Sequence, residues 1–191
     1  MNLILASQSP RRKELMGLFS QPFIIRVADI DETMDPEKSP FEEVARISRR
    51  KAFAVERNID DVVVAADTIV VCQGRALGKP RTEAEAIAML QMLSGRDHQV
   101  MTGVTVLRGR QAETFTEVTD LHFRPLSRRE IEGYVATGEP MDKAGAYGIQ
   151  GGAALFCERM NGDYYNVMGL PVCRLGQVLR AMAPDWTGDT P

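Results

Sequence analysis

Residues 2–13 read Asn-Leu-Ile-Leu-Ala-Ser-Gln-Ser-Pro-Arg-Arg-Lys, and this segment indicates the fold class. Residues 2–6 are mostly apolar, which predicts a short buried strand. Ser9 is a favoured N-cap residue and Pro10 is favoured at the first helical position, so the pattern predicts a helix from there to about Phe19. Because a strand that leads directly into a helix is typical of α/β proteins, we expect that class.

The segment Val62–Cys72 is predicted to be the central strand of the sheet. It is rich in β-branched residues and almost wholly apolar, as expected for a strand covered on both faces. Residues 100–107 and 114–123 flank Gly109 and are predicted to form a hairpin.

A second hairpin is predicted near the C-terminus, where residues 154–160 and 164–168 flank Asn161-Gly162. Asn-Gly is a favoured two-residue hairpin turn. Parallel and antiparallel neighbours then share one sheet. The predicted fold class is α/β, with a mixed twisted sheet flanked by helices.

Three further helices are predicted from capping boxes, in which a Ser or Thr is followed three residues later by Glu. The pairs are Ser39 with Glu42, Thr82 with Glu85, and Ser127 with Glu130. A last helix is predicted over residues 172–183. No repeat or linker divides the chain, so residues 1–183 are predicted to form a single domain, followed by a loosely ordered tail at 184–191.

The composition excludes several classes of protein. Of the 191 residues, 44% are hydrophobic and 26% are charged, as in ordinary globular proteins. The net charge of -3 lacks the positive field that broad binding to nucleic acid or an anionic membrane needs, so an anionic ligand must meet locally concentrated cations. Three cysteines outside any metal or redox spacing, with no signal-peptide pattern, predict a cytoplasmic protein.

A cluster of cations lies at the start of the first predicted helix, where the helix dipole is already positive. Backbone N–H groups, hydroxyls and planar guanidinium donors together indicate a phosphate or carboxylate site. The alternative is that Arg12 and Lys13 are solvated or pair with Glu14. The residues of the cluster are Ser7, Ser9, Arg11, Arg12 and Lys13.

Asp67 is a carboxylate in the middle of the predicted central strand. Burial of a carboxylate is costly unless a metal ion or a Lys compensates for it. A desolvated Asp near phosphates can serve as a metal ligand or as a general base for water. The alternative is that Asp67 marks the end of the strand and caps a turn that includes Thr68.

Two lysines are candidate partners for an anion. Lys51 shares a helical stripe with Val44, Ser48 and Val55, and this stripe is predicted to face the core. A Lys in that position either snorkels to solvent or meets an anion. Lys79 lies in a Gly-Lys-Pro loop, and the alternative there is a solvated surface Lys.

Two loops complete the set of candidates. The acidic loop 29–37 is either solvated or supplies Mg²⁺ with one or two carboxylates, of which Glu32 is preferred. The Gly-rich segment 142–152 indicates a backbone that approaches a ligand closely, and Gln150 within it either reads a base edge or is a surface residue. Neither H-E-x-x-H nor G-x-S-x-G occurs, which favours metal-assisted attack of water on a polyphosphate.

Five motifs in order along the chain carry a family resemblance. They are Leu-Ile-Leu-Ala-Ser-Gln-Ser-Pro-Arg-Arg at 3–12, Ala-Ala-Asp-Thr-Ile-Val at 65–70, Gly-Lys-Pro at 78–80, Leu-Ser-Gly at 93–95 and Asp-Lys-Ala-Gly-Ala-Tyr-Gly-Ile-Gln-Gly at 142–151. These motifs resemble the Maf family of nucleoside triphosphate pyrophosphatases. The resemblance implies hydrolysis between the α and β phosphates with Mg²⁺ or Mn²⁺, to the monophosphate and pyrophosphate. It also implies a fold like that of inosine triphosphate pyrophosphatases, with the site in a cleft between two lobes, and a homodimer.

The resemblance also assigns roles to residues. Asp67 is implied to be the catalytic carboxylate and, with Glu32, a metal ligand. Phosphate contacts are implied for Ser7, Arg11, Arg12, Lys51 and Lys79. Arg11, Thr68 and Gln150 match the positions that distinguish the branch acting on dTTP and UTP, with modified pyrimidine triphosphates as further implied substrates. The alternative is a non-catalytic nucleotide-binding regulator linked to septum formation.

Overall fold

A computed structural model describes residues 1–184. The predicted tail at 184–191 lies outside the described residues, apart from its first residue. The strands are β1 (Leu3–Leu5), β2 (Ile24–Ile25), β3 (Val62–Cys72), β4 (Arg75–Leu77), β5 (Asp97–Arg108), β6 (Gln111–Phe123) and β7 (Cys157–Asn161). The α-helices are α1 (Pro10–Gly17), α2 (Pro40–Ala54), α3 (Glu83–Leu93), α4 (Arg128–Val135), α5 (Tyr164–Met168) and α6 (Val172–Met182).

The seven strands form one mixed sheet, which confirms the predicted α/β class. Its order is β2-β1-β3-β5-β6-β7, with β4 paired to β3 off this path. β1 pairs in parallel with β2 and β3, whereas β3–β4 and β6–β7 are antiparallel. β3 is an interior strand, as its apolar sequence predicts. β5 and β6 are neighbours joined at Gly109, so the first predicted hairpin is confirmed.

The chain divides into two compact units. The first contains Met1–Asp67, Thr102–Glu117 and the segment from Gly169, and the second contains Thr68–Met101 and Val118–Met168. The division falls inside three of the strands, which are β3, β5 and β6. The single domain expected from the sequence stays a prediction.

In the first unit, α2 packs against the sheet through a fully apolar cluster. Ala52 and Val55 from the helix region contact Ile4 of β1, Val63 of β3 and Leu107 of β5, all nearly or completely buried. Removing this much apolar surface from water is the main force that holds the helix in place. The position of α2 on the sheet is therefore tightly defined.

Gly103 on β5 allows α2 to approach closely. A Cβ at this position would overlap the backbone of Val44 and the amide nitrogen of Ala45, both on α2. Only glycine has no Cβ, so a strand and a helix can come this near each other only where glycine stands. The close packing fixes the height of α2 above the sheet.

The helix starts follow the predicted capping chemistry with one exception. Ser39 and Ser127 each form a complete capping box with the Glu three residues later. Thr82 accepts a hydrogen bond from the Glu85 amide, but the Glu85 carboxylate accepts from the Arg81 amide at 2.7 Å. This box is therefore one-sided, because Glu85 binds a donor one residue further upstream.

The second predicted hairpin is wrong. β7 pairs with β6, and α5 follows it in place of a strand. The Asp163 carboxylate accepts the Tyr165 amide at 2.7 Å, which favours a helical turn. Asn166 is completely buried on α5 and donates to Thr119 Oγ1 at 2.9 Å and to the Val100 carbonyl at 3.1 Å. A strand at this place would lose these bonds.

The core of the second unit contains a cluster of rings. His98 and Tyr147 both meet Phe123 edge-on, at centroid distances of 4.7 and 4.8 Å. His98 Nε2 and the Tyr147 hydroxyl share a hydrogen bond of 2.9 Å, and His98 is only 3% exposed. Burial lowers the pKa of His98 to about 4 and raises that of Tyr147 well above its usual value. Both rings are therefore neutral at pH 7.

Candidate active site

Lys51 lies between two carboxylates in the first unit. Its Nζ donates to Asp67 Oδ1 at 2.8 Å and to Glu32 Oε2 at 2.9 Å. The side chains of Lys51 and Asp67 are only 13% and 16% exposed, whereas that of Glu32 is 56% exposed. A cation with little access to water thus holds one shielded and one accessible carboxylate together.

Lys51 occupies this place because of the stripe on α2. Val44, Ser48 and Val55, which share the stripe, are all buried, as the helical spacing predicts. The Lys51 ammonium meets anions, and the interpretation that it merely snorkels to solvent is wrong. The stripe directs the charged side chain of Lys51 towards the sheet, where its partner Asp67 lies on β3.

Asp67 stands inside β3, five residues before the strand ends. The alternative of a carboxylate that ends the strand and caps a turn is therefore wrong. Thr68, which follows it, also lies in the strand and is half-buried. The cost of placing Asp67 there is offset by its ion pair with Lys51, since a partly buried charge needs a partner.

Arg12 holds the backbone around Asp67. Its Nε donates to the Gly169 carbonyl at 2.8 Å, and its Nη1 donates to the Ala66 carbonyl at 2.9 Å and more weakly to Ser7 Oγ at 3.4 Å. Burial lowers the pKa of the guanidinium, while the nearby charges of Asp67 and Glu32 act in the opposite direction. Arg12 is thus not the solvated side chain that was the alternative, and it connects α1 to the residue before Asp67.

The start of α1 is organised as predicted. Ser9 caps the helix by accepting the Arg12 amide, and Ser7 Oγ accepts the Ser9 amide at 3.2 Å. Ser7 is 7% exposed and Arg11 is half-buried. No acidic residue occupies the first turn, so the positive end of the helix keeps its attraction for an anion.

The first unit brings together the predicted residues Ser7, Arg12, Glu32, Lys51 and Asp67, through the contacts above. Lys79, Thr68 and Gln150 belong to the second unit. Lys79 and Gln150 are exposed. The predicted functions of these three residues stay predictions.

The candidate metal ligands fit a metal that is shared with a substrate. Among residues 1–184, no group of three or more His, Cys, Asp or Glu side chains is arranged to hold a metal ion. Glu32 and Asp67 nevertheless both direct a carboxylate oxygen at one cationic group, the Lys51 ammonium. Mg²⁺ commonly binds through one or two carboxylates plus substrate phosphates, which matches this donor set.

The Gly-rich segment packs against its own unit. A Cβ at Gly145, whose φ is +69°, would lie 2.7 Å from Val70 Cγ2. A Cβ at Gly151 would overlap the Glu139 carboxylate, and one at Gly148 would lie 2.7 Å from Lys143 Cε. The contacts at Gly145 and Gly151 favour glycine within the unit itself, and the predicted approach of this backbone to a ligand stays a prediction.

Two groups near the candidate residues escaped the sequence analysis. Glu43 on α2 is completely buried and pairs with Arg46, three residues later. In the second unit, the Tyr134 hydroxyl donates to Glu139 Oε1 at 2.8 Å and accepts the Gly148 amide at 3.0 Å. Helical spacing offered a signal for Glu43, because it lies one turn before the apolar Ile47 and so on the inner side of α2.

These features define an α/β protein whose site holds carboxylates and cations together, a combination suited to anionic ligands that carry a metal ion. Residues 2–182 match the family described as Maf-like protein. The chain belongs to the Maf family.

Relatives named "dTTP/UTP pyrophosphatase" are similar along most of the chain. One from Geobacillus sp. (strain WCH70) is 53% identical over 173 residues, which cover 90% of this chain and 93% of the relative. One from Symbiobacterium thermophilum is 52% identical over 188 residues and 97% of each chain. One from Bacillus cereus (strain AH187) is 48% identical over 186 residues, again 97% of each.

The fold also resembles a solved structure, that of a HAM1 protein from Coxiella burnetii. The TM-score is 0.50 at 17% identity, covering 95% of this chain and 99% of that one. This likeness supports the predicted fold and nothing more. In the part of the chain that the structure describes, no helix is both long and apolar enough to cross a membrane.

Proposed function

We propose that the protein hydrolyses dTTP and UTP to the monophosphate and pyrophosphate. The observation that carries the proposal is the Lys51 ammonium held between Asp67 and Glu32, at 2.8 and 2.9 Å. The relatives named "dTTP/UTP pyrophosphatase", at 48 to 53% identity, support the choice of substrates. Modified pyrimidine triphosphates belong to the same proposal, because a site that reads a pyrimidine edge need not exclude ring substituents.

In the proposed reaction, Asp67 orients a water molecule and accepts its proton. The water oxygen attacks the α-phosphorus, and the bond from that phosphorus to the oxygen bridging the α and β phosphates breaks. The electron pair of that bond leaves with pyrophosphate. A carboxylate can act as general base when it is held within hydrogen-bond reach of the nucleophile, and the ion pair with Lys51 holds Asp67 in one orientation.

Lys51 has a second task, which is to stabilise negative charge. An ammonium group has three N–H donors, so Lys51 can bond a phosphate oxygen while it holds both carboxylates. Donors that are already in place need no reorganisation when charge develops on the phosphate oxygens. Lys79 is proposed to bind phosphate in the same way.

Glu32 and Asp67 are proposed to hold Mg²⁺ or Mn²⁺ together with phosphate oxygens. When bound, the ion neutralises charge on the triphosphate and so favours attack by water. Ser7 and Arg11, at the start of α1, are proposed to bind phosphates. Arg12 is proposed to act there mainly by fixing the Ala66 carbonyl, and thereby the strand next to Asp67.

Thr68 and Gln150 are proposed to select the pyrimidine base, in line with the branch that their identities match. The Gln150 amide offers both a donor and an acceptor, as a pyrimidine edge requires. The homodimer and the cytoplasmic location stay predictions from the sequence.

The test is to incubate the purified protein with a panel of triphosphates and Mg²⁺, and to measure pyrophosphate and orthophosphate. We expect pyrophosphate from dTTP and UTP. Asp67→Asn should abolish its release while nucleotide binding survives, because the amide keeps the shape but accepts no proton. Asp120→Asn is the matched control, since Asp120 is an exposed carboxylate on β6.

Other outcomes would exclude the proposal. Orthophosphate as the product would mean that a different bond is cut. Binding without turnover would support the nucleotide-binding regulator, and full activity in Asp67→Asn would remove the proposed role of that residue.

A further inference from the structure

A buried ion pair on α2 takes no part in the proposed chemistry. Arg46 Nε donates to Glu43 Oε1 at 2.7 Å and Arg46 Nη2 donates to Glu43 Oε2 at 2.6 Å, a two-pronged contact. The Glu43 side chain is 0% exposed and that of Arg46 is 28% exposed. A buried ion pair is weak evidence for stability, because desolvation of the charges offsets their attraction. The contacts that the pair makes outside α2 therefore bear on its role.

The pair holds the acidic loop that carries Glu32. Arg46 Nη2 also donates to the Thr33 carbonyl at 2.9 Å, and Glu43 Oε2 accepts the Asp35 amide at 2.7 Å. Thr33 directly follows Glu32, so the loop is attached to the helix immediately beyond this residue. The attachment uses backbone groups, which makes it independent of the loop side chains.

The same helix carries the cation that Glu32 contacts. Lys51 lies on α2, eight residues after Glu43, and α2 is fixed on the sheet by its apolar cluster and by the close approach at Gly103. α2 thus contacts both the loop backbone next to Glu32, through Glu43 and Arg46, and the Glu32 carboxylate, through Lys51. A loop held in this way cannot shift its carboxylate without breaking a charged hydrogen bond.

We propose that Glu43 and Arg46 are positioning residues for Glu32, and that they set the affinity of the site for a divalent cation. The inference rests on the proposed function, because it takes Glu32 as a metal ligand. Groups that orient a ligand contribute strongly to metal sites, and their loss typically weakens metal binding or activity about 10- to 100-fold. Neither residue is proposed to contact the substrate.

Arg46→Lys is the informative variant. Lysine keeps a positive charge beside Glu43 but lacks the planar fork that reaches both carboxylate oxygens and the Thr33 carbonyl. Mn²⁺ is titrated calorimetrically into the protein saturated with α,β-methylene-UTP, whose α–β bond cannot be hydrolysed. We expect binding about tenfold weaker than in the wild type. The Mn²⁺ concentration for half-maximal pyrophosphate release should rise by a similar factor, with kcat at saturating Mn²⁺ within about twofold.

Two controls separate positioning from a general loss of structure. Arg128→Lys makes the same substitution in an exposed ion pair on α4, between Arg128 Nε and Glu132 Oε1 at 2.6 Å, and should leave Mn²⁺ binding unchanged. Glu43→Gln keeps the shape of the buried side chain and should weaken Mn²⁺ binding in the same direction, should Arg46→Lys fail to fold.

A double-mutant cycle tests whether Arg46 acts through Glu32. In a Glu32→Gln background, Arg46→Lys should cause no further loss of Mn²⁺ affinity, because the carboxylate that it positions is already gone. Nucleotide phosphates keep Mn²⁺ binding measurable in both backgrounds. Additive losses in the cycle would overturn the proposal, and so would unchanged Mn²⁺ binding in folded Arg46→Lys.

The failure of this inference is distinguishable from a failure of the proposed function. Wild-type protein that releases pyrophosphate from dTTP, with Arg46→Lys showing the same Mn²⁺ dependence, overturns the positioning role alone. Wild-type protein that binds the analogue but hydrolyses nothing overturns the function, and the calorimetric cycle still decides the positioning role.

Discussion

The buried polar groups described above have different partners in the two compact units. The first unit uses charges of opposite sign, as in Glu43 with Arg46 and Asp67 with Lys51. The contacts described for the second unit involve hydroxyl groups: that of Tyr147 meets the imidazole of His98, and that of Tyr134 meets the carboxylate of Glu139.

The difference shows where a ligand can be accommodated. A carboxylate paired with a lysine can transfer part of its interaction to an incoming metal ion, while the lysine turns to a phosphate. A hydroxyl that already connects two groups has no such exchange to offer, because its removal leaves a buried polar atom unsatisfied. We therefore propose that the ion pairs of the first unit take part in the chemistry, whereas the hydroxyl contacts of Tyr134 and Tyr147 stabilise the backbone of the second unit.

The largest expected effect concerns Lys51 in the first unit. Lys51→Ala should lower kcat/KM for dTTP at least about 100-fold, which is the usual cost of losing one donor to developing charge. The protein should remain folded, because the charge of Arg12 stays near Asp67 and compensates for part of the lost ion pair. Steady-state kinetics and a melting curve give the two readouts.

Arg129→Ala is the control, since it removes an exposed cation from α4. A Lys51→Ala protein that melts at a lower temperature but keeps its activity would show that the residue is merely structural. The proposal that the ion pairs of the first unit take part in the chemistry would then be excluded for Lys51.

The next effect is a difference in the pH range over which His98 of the second unit and Glu43 of the first unit change the free energy of unfolding. Burial lowers the pKa of His98 from 6.5 to about 4. Between these pH values, His98 is protonated in the unfolded state but stays neutral in the folded state. The free energy of unfolding should therefore fall as the pH drops from 6.5 towards 4, by up to about 3 kcal/mol. The pKa of Glu43 is lowered from 4.5 to about 2 by its bonds to Arg46, so its contribution is fully present above pH 4.5 and is lost only as the pH falls from there towards 2.

Urea unfolding at several pH values above 4.5 measures the His98 effect. His98→Gln keeps a hydrogen-bonding partner for Tyr147 but does not titrate, and its stability should change less over this range. His122→Gln is the matched control, because His122 is the second histidine of the chain and is less buried. An unchanged pH dependence in His98→Gln would contradict the assignment.

The smallest effect concerns the loop of the second unit. Tyr134→Phe removes the hydroxyl that joins Glu139 to the Gly148 amide, and leaves the buried amide without this acceptor. The expected loss of stability is about 1–3 kcal/mol, measured by urea unfolding. Tyr164→Phe, at a side chain that is 39% exposed, should have little effect. Equal stability of the two variants would show that the Tyr134 hydroxyl does not stabilise the fold.

Local sequence signals predicted the parts of the fold that local physics controls. The start of α1 follows from Ser9 and Pro10, and the interior position of β3 follows from its apolar run. The helical stripe on α2 by itself predicts that Lys51 faces the sheet. Each of these depends on neighbours within a few residues along the chain.

The errors arose where a distant partner decides the structure. Asn161-Gly162 is a favoured hairpin turn, yet β7 takes β6 as its neighbour, and buried Asn166 holds the next segment in a helix. The close contacts of Gly145 with Val70 and of Gly151 with Glu139 also depend on distant partners, and the approach of this backbone to a ligand stays a prediction. Nothing within the segment itself reveals such contacts.

The site was predictable as a set of residue types but not as a geometry. Asp67, Glu32 and Lys51 were candidates from their positions and from the resemblance, whereas their joint contact depends on the path of the acidic loop. That path is set by Glu43 and Arg46, which bind backbone groups of the loop. Backbone groups are identical at every residue, so a sequence offers no trace of which one is bound.

Gly103 has a consequence for how this protein tolerates change. Any side chain at this position would overlap the backbone of α2, the helix that carries Lys51, Glu43 and Arg46. A random mutagenesis screen would therefore score Gly103 among the most sensitive positions, although it offers no functional group to a ligand. Directed evolution cannot retune the site gradually at this residue, since there is no smaller step than a methyl group.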